Sequence, residues 1–315
     1  MRGGASGGVS EGAAALPLRQ RPVPAGYARG LPLPWWLKLG TKLGLAALGL
    51  HGARARRLGF AEPSFAVRDP VRLVDWPRAW MARAEALLGR PPRTLLELGP
   101  GRMVLRAPVL AGLGLGPIWY AEAEDSAPRE AEPYRTVAAL ARERGLAAVP
   151  DLAGCRGREA VLARCGATLL TGGPSALAAI PDGSVDLVVS EVVLEHVRRE
   201  EMAPLLAQLR RMTAPGGVGL HWVDFHDHLG GGLQHLRFSD GFWASPLVGR
   251  AGIYVNRLGL SAVVSRFRRA GFAVTVPEAL VWPARPAGPR RPHPEAMRPA
   301  ADDLVCFAAL EVRAG

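Results

Sequence analysis

The 315-residue chain has little cysteine, almost no lysine and no long apolar run. Its three cysteines, Cys155, Cys165 and Cys306, are odd in number and lack the paired spacing of a zinc ribbon. That excludes a disulfide scaffold and points to a reducing, cytoplasmic compartment. No stretch of about 18 uncharged apolar residues occurs, so no membrane-spanning helix is expected. Only two lysines are present, Lys38 and Lys42, so the net charge of +11 is almost wholly arginine. Residues 1–30 and 283–300 each hold four arginines against one glutamate, which puts +3 in each of two Pro/Gly-rich segments. No basic helix carries interleaved aromatic residues, so a nucleic-acid partner is not expected.

The remaining composition, 49% hydrophobic and 21% charged, is that of a folded globular protein rather than a disordered one. Residues 1–30 lack hydrophobic periodicity and read as a flexible tail. Residues 31–90 read as an N-terminal helical cap on the main unit, 91–315. Within the cap, Trp36, Leu39, Leu43, Ala47 and Leu50 recur at helical spacing, with Lys38 and Lys42 on another face. Arg54, Arg56 and Arg57 follow, so residues 35–57 have an alternative reading as a basic helix in peripheral contact with a membrane.

From Pro77 onward helix and strand alternate. The pattern predicts helices at Trp80–Leu88, Met103–Leu113, Ala131–Arg144, Glu201–Met212 and Leu258–Ala270, with a short one inside Cys155–Cys165. It predicts strands at Arg93–Leu98, Ile118–Ala123, Ala167–Thr171, Val185–Ser190, Val218–Asp224, Phe272–Val281 and Leu304–Val312. Such alternation means an α/β fold, a doubly wound and mostly parallel sheet with helices on both faces.

Leu95-Leu96-Glu97-Leu98-Gly99-Pro100-Gly101 is a strand running into two glycines and a helix, which brings backbone close to a ligand. Two details separate it from a dinucleotide site. Val104 stands where the third glycine of such a site belongs. Glu97 is a carboxylate inside an apolar strand, costly unless a cation or several donors meet it, and it would repel a pyrophosphate but welcome an ammonium. The next strand ends at Glu122, placed to accept the two hydroxyls of a ribose. Farther on stand Ser190-Glu191 and Leu194-Glu195-His196, and then His221-Trp222-Val223-Asp224-Phe225-His226-Asp227-His228. The last cluster has metal-ligand residue types, but nothing elsewhere completes a shell at a suitable spacing, and no metal is expected.

Taken with Ala214-Pro215-Gly216-Gly217, these motifs resemble the class I S-adenosylmethionine-dependent methyltransferases of the type 11/12-like group. Asp224, Asp227 and His228 resemble the Asp-x-x-Asp-His signature that one subgroup carries after its fifth strand. The resemblance implies a Rossmann-like sheet whose last strand is antiparallel. It implies S-adenosylmethionine as cofactor, with Glu97, Gly99 and Gly101 at its methionine end and Glu122 at the ribose. Ser175 would border the adenine, and Ser190 and Glu191 would line the floor beneath the sulfonium. Asp224, His228 and His196 are the candidate catalytic residues, and Glu195 and Asp227 the candidate substrate-binding ones. Residues 226–256 form a lid insertion and 282–300 a Pro/Arg-rich loop, both on the cofactor side.

The expected reaction is O-methylation of a small-molecule, sugar or lipid-linked acceptor by direct displacement. A membrane-surface quinone or lipid methyltransferase is one alternative, and a non-catalytic cofactor-binding module is another.

Overall fold

The computed structural model describes residues 20–22, 33–50, 69–282, 284, 286–294 and 304–315. Most of the tail reading for 1–30, the basic run Arg54–Arg57, and the outer parts of the 282–300 loop lie outside the described residues. Among the described residues the strands are β1 Gln20–Pro22, β2 Leu95–Leu98, β3 Ile118–Glu122, β4 Ala167–Thr171, β5 Val185–Glu191, β6 Thr213–Asp224, β7 Phe272–Val281 and β8 Val305–Ala314. They form one sheet in the order β1-β7-β8-β6-β5-β2-β3-β4. Every pairing is parallel except those of β8, which runs antiparallel to β6 and β7. β2 is followed in sequence by its neighbour on one side and joined by β5 on the other. That makes the carboxyl ends of β2 and β5 the switch point at which open α/β sheets bind ligands.

Helices cover both faces. The described ones are α1 Trp35–Ala47, α2 Trp76–Leu88, α3 Ala107–Gly112, α4 Glu132–Glu143, α5 Arg158–Arg164, α6 Arg199–Met212, α7 Asp240–Trp243, α8 Pro246–Arg250 and α9 Leu260–Arg269. In α4 the buried residues Tyr134, Val137, Ala138 and Ala141 repeat at three- and four-residue spacing, the apolar stripe of a core-facing helix. α9 does the same with Leu260, Val263, Val264 and Phe267, and ends in Arg266, Arg268 and Arg269, which complement its dipole. One core, built on Leu95, Val104, Leu110, Ile118, Tyr134 and Val161, lies on one face of the sheet. The other, built on Leu96, Val188, Leu206, Val264, Phe267 and Leu310, lies on the opposite face.

The expected helix Met103–Leu113 is two pieces, a 3₁₀ segment Gly101–Arg106 and then α3. Pro108 explains the break. It has no N–H to give the Val104 carbonyl and its ring crowds that oxygen, so Ala107 bonds Val104 instead. β1 falls inside the expected tail, where a three-residue strand with no apolar alternation pairs parallel with β7.

Within residues 31–90 the two described α-helices pack on different parts of the molecule. α2 lies on the sheet, with Trp80 against Trp222 of β6 at 6.2 Å between ring centres. α1 instead packs Leu39, with Trp35 and Leu43, onto Trp243, Val248, Ile253 and Tyr254 of the 226–256 insertion. The guanidinium of Arg237 from that insertion sits 4.8 Å over the Trp35 ring. No helix among the described residues is long and apolar enough to cross a membrane.

The insertion is held down by two neighbouring buried side chains. Asn256 donates to the carbonyls of Leu194 (2.7 Å) and Val197 (3.0 Å) and accepts from the Leu258 amide (3.1 Å). Arg257 donates to the carbonyls of His235 and Phe238 and to Asp240. Its guanidinium lies 5.1 Å over the Trp243 ring, whose Nε1 in turn donates to the Val255 carbonyl. The 282–300 loop joins from the other side, its Ala287 carbonyl accepting from Leu233 at 2.7 Å.

Asn256→Ala would strand three backbone groups of which the Leu194 carbonyl at least is deeply buried. We expect a stability loss of about 2–4 kcal/mol by urea unfolding. A loss under about 0.5 kcal/mol would contradict the anchoring role.

Candidate functional site

The glycine turn after β2 is required by its geometry. Gly99 has φ of +58°, and a Cβ there would stand 2.6 Å from a Val193 methyl. The turn places the Gly101 amide 2.7 Å from Oε2 of Glu122, at the end of β3. The Ala123 amide donates to Oε1 at 2.9 Å. Burial raises the Glu122 pKa, and these backbone donors oppose the rise. Each oxygen keeps a lone pair for a hydroxyl. Beside it, Leu98, Ala121, Leu177 and Val193 wall a mainly apolar cavity of about 320 Å³, with Gly173 at its rim.

A second cavity, of about 570 Å³, shares Gly99 and Val192 with the first. Val192 is the hinge of this wall. It has φ of +56°, a strained conformation for a β-branched residue, and its amide is held by the Trp222 carbonyl at 2.9 Å. Glu97, Glu191, Trp76, Trp222, Asp224 and His226 line the larger space.

Glu97 is 2% exposed, and the cation that meets it is Arg106, itself fully buried. Nη1 of Arg106 donates to Oε1 of Glu97 at 2.9 Å and Nη2 to Oε2 of Glu191 at 3.2 Å. Oε2 of Glu97 and Oε1 of Glu191 are buried without a partner. Burial pushes the Glu97 pKa up to about 8, with Arg106 opposing and Glu191 adding to the rise.

The carboxyl end of β6 carries the polar cluster. Asp224 pairs with Nδ1 of His226 and accepts the His226 amide at 3.0 Å. His228 lines neither cavity. Its ring lies 4.9 Å from that of His196 and 6.1 Å from that of His226. Burial, with the charge of His196, lowers the His228 pKa to about 4. His196 stands on the wall of the smaller cavity, and its Nδ1 donates to the Tyr254 carbonyl at 2.9 Å, which leaves Nε2 as an acceptor. Burial lowers its pKa too, against the pull of Tyr254 and Asp224. Glu195 is buried beneath the loop, where burial and then the Asp224 charge hold its carboxyl well above the usual range.

The structure places Asp227, Ser190 and Ser175 off the walls of both cavities. Asp227 is fully buried, and its carboxylate is occupied by the amides of Leu229, Gly232 and Gln234, so it shapes the loop rather than facing a ligand. Ser190 does not line the cofactor floor. Alternation along β5 turns its hydroxyl to the opposite face from Glu191, where it meets Nδ1 of His221 at 2.8 Å. His221 accordingly belongs to the core, against Phe267, with burial pushing its pKa down to about 3. Ser175 is exposed and bonds the Gly172 carbonyl, and Gly173 and Leu177 border the cavity instead. His226, Trp76 and Trp222 were not singled out from sequence. Only His226 had a signal, its two-residue offset from Asp224.

These features fit S-adenosylmethionine. The apolar cavity suits a nucleobase, Glu122 suits a ribose, and the open, buried oxygens of Glu97 and Glu191 suit an ammonium group. Residues 149–220 match a family model described as a methyltransferase domain, a segment that ends before Asp224. No curated protein sequence matches the chain. Among solved structures it is similar to an S-adenosylmethionine-dependent methyltransferase from Mesorhizobium loti, at 15% identity over 78% of this chain and 98% of that one, with a TM-score of 0.41. It is also similar to an O-methyltransferase family protein from Burkholderia thailandensis, at 13% identity over 89% and 68%, with a TM-score of 0.42. A phosphoethanolamine N-methyltransferase from Haemonchus contortus, holding phosphomonomethylethanolamine and S-adenosylhomocysteine, is similar at 14% identity over 66% and 44%, with a TM-score of 0.34. Residues 149–220 thus carry a methyltransferase-domain match, and the sheet order and the motifs that build this paired cavity fit S-adenosylmethionine as the cofactor.

Proposed function

We propose that the chain methylates a hydroxyl oxygen of a small-molecule, sugar or lipid-linked acceptor bound in the larger cavity. The observation that carries this reading is the Asp224–His226 pair on the wall that also bears Glu97 and Glu191. The cofactor supplies a methyl carbon already activated by its sulfonium. What remains for the protein is approach, exclusion of water and, for a neutral hydroxyl, a place for the proton.

Glu97 and Glu191 take the amino-acid end, Glu122 the ribose, and the Leu98–Leu177–Val193 cavity the adenine. Asp224 fixes the His226 ring through Nδ1, so that Nε2 is the atom that accepts a proton. His228 and His196, neutral at pH 7 with their pKa values lowered, back this pair without competing for the acceptor with positive charge. A hydroxyl is favoured because it is the acceptor that needs a base, whereas a free amine attacks without one.

Asp224→Asn and His226→Gln should leave S-adenosylhomocysteine affinity within a few-fold by calorimetry. With the acceptor found by labelled methyl transfer into a cell extract, both should lower kcat by roughly 10²-fold or more. Unchanged turnover in both variants would remove the pair from the chemistry.

A second reading, an acceptor presented at a lipid surface, is favoured by the outer side of α1. Trp36 is 59% exposed there, and Leu37 and Leu48 are exposed as well, with Lys38 beside them. Full-length protein should then float with anionic vesicles, and the W36S/L37S variant should not. Wild-type protein that stays at the bottom of the gradient rules this reading out.

A further inference from the structure

Arg106 is a fully buried cation that methyl transfer does not use. Its position is fixed on three sides. Nε donates to the Arg72 carbonyl at 3.0 Å, Nη1 to Glu97 at 2.9 Å and Nη2 to Glu191 at 3.2 Å, while its guanidinium lies 4.7 Å over the Trp80 ring. It binds each carboxylate through one oxygen only. The other oxygen of each, Glu97 Oε2 and Glu191 Oε1, is buried and without a partner, and both residues line the larger cavity beside Gly99 and Pro100. Within the bonded cluster two carboxylates against one guanidinium leave a single negative charge, and Arg72, on the wall of the same cavity, is a further cation acting on Glu191 from outside the cluster. A low-dielectric site with one open negative charge and two open acceptors is complementary to one ammonium group.

We propose that Arg106 is a positioning residue that holds Glu97 and Glu191 as a two-oxygen receptor for the ammonium group of the cofactor. The proposal rests on the reading that the amino-acid end lies in this cavity. A lysine could not do the same work, because a point charge cannot direct two carboxylates at fixed angles as the planar fork does.

The charge balance has a consequence that can be measured. Without ligand the cluster reaches neutrality by holding a proton, and Glu97 is where it sits, its pKa raised to about 8 by burial and by the Glu191 and Glu122 charges against the pull of Arg106. The other groups nearby are Tyr120, whose hydroxyl is held protonated by burial, and Arg72, which lies close to Glu191. An ammonium entering below pH 8 displaces that proton, so affinity rises as the pH is raised toward 8.

The test compares S-adenosylhomocysteine with 5′-methylthioadenosine, which keeps the adenosine and thioether but lacks the amino-acid end. In Arg106→Lys and Arg106→Met, S-adenosylhomocysteine affinity should fall by about tenfold or more, while methylthioadenosine affinity stays within about twofold. Glu191→Gln preserves shape if the arginine variants fail to fold. It should show the same selective loss, and calorimetry in buffers of different ionisation enthalpy should find that the proton release seen with wild type has vanished, since Arg106 and Glu97 alone are already neutral.

Equal weakening of both ligands in Arg106→Lys, or no weakening of either, overturns the proposal. So does undiminished proton release in Glu191→Gln. Wild-type protein that binds neither ligand would instead overturn the underlying cofactor reading, a distinct result.

Discussion

The site depends on a charge that the fold had to bury. A carboxylate at Glu97 in the middle of β2 can exist there only because Arg106 reaches back to it from the 3₁₀ segment that follows the glycine turn. The same guanidinium ties β5 to β2 through Glu191, so the two strands that flank the switch point share one cation. Replacing the three groups by apolar residues of equal volume would be no worse for stability, and often better. What such a core would lose is two acceptor oxygens facing a cavity. The cluster is therefore understood as an expense in stability set against a binding surface.

Around this cluster the rest of the molecule divides labour by layer. The sheet and the glycine turn define the smaller cavity, and the loop ends of β5 and β6 define the larger one. Strained Val192 stands between them. The 226–256 insertion starts at His226 on the wall of the larger cavity and packs against the loop that follows β5. It is fastened by Asn256 to the Leu194–Val197 loop and by Arg257 to its own turns, and α1 is packed on its outer side. His196, held by the Tyr254 carbonyl, is positioned by the insertion as much as by its own strand end. Movement of the insertion would therefore move His196 on the wall of the smaller cavity.

Much of this was legible in the sequence because strand and helix periodicity is a local property. The extents of β4 and β7 and the core faces of α4 and α9 follow from spacing alone. Glu97 could be recognised as a carboxylate in need of a cation, but Arg106 could not be recognised as that cation. Its approach depends on the 3₁₀ winding that Pro108 imposes, which a uniform helical pattern hides. Ser190 faces away from the larger cavity for a reason visible in the sequence, since adjacent strand residues face opposite ways and Glu191 takes the cavity side. Asp227 and His226 are different. Which of two neighbouring polar residues faces inward is decided by loop amides at Leu229, Gly232 and Gln234, and no periodicity reports that. β1 has no signal in the sequence because Gln20-Arg21-Pro22 is too short to show an apolar alternation.

The central claim is that the cofactor's amino-acid end is received by Glu97 and Glu191 at the junction of the two cavities. A crystal structure of the complex with S-adenosylhomocysteine tests it most directly. The ligand ammonium should lie within about 3.2 Å of both Oε2 of Glu97 and Oε1 of Glu191, with the ribose hydroxyls on Glu122 and Arg106 still bridging the two carboxylates. An amino-acid end that points away from both carboxylates, with their open oxygens still unfilled, would contradict it.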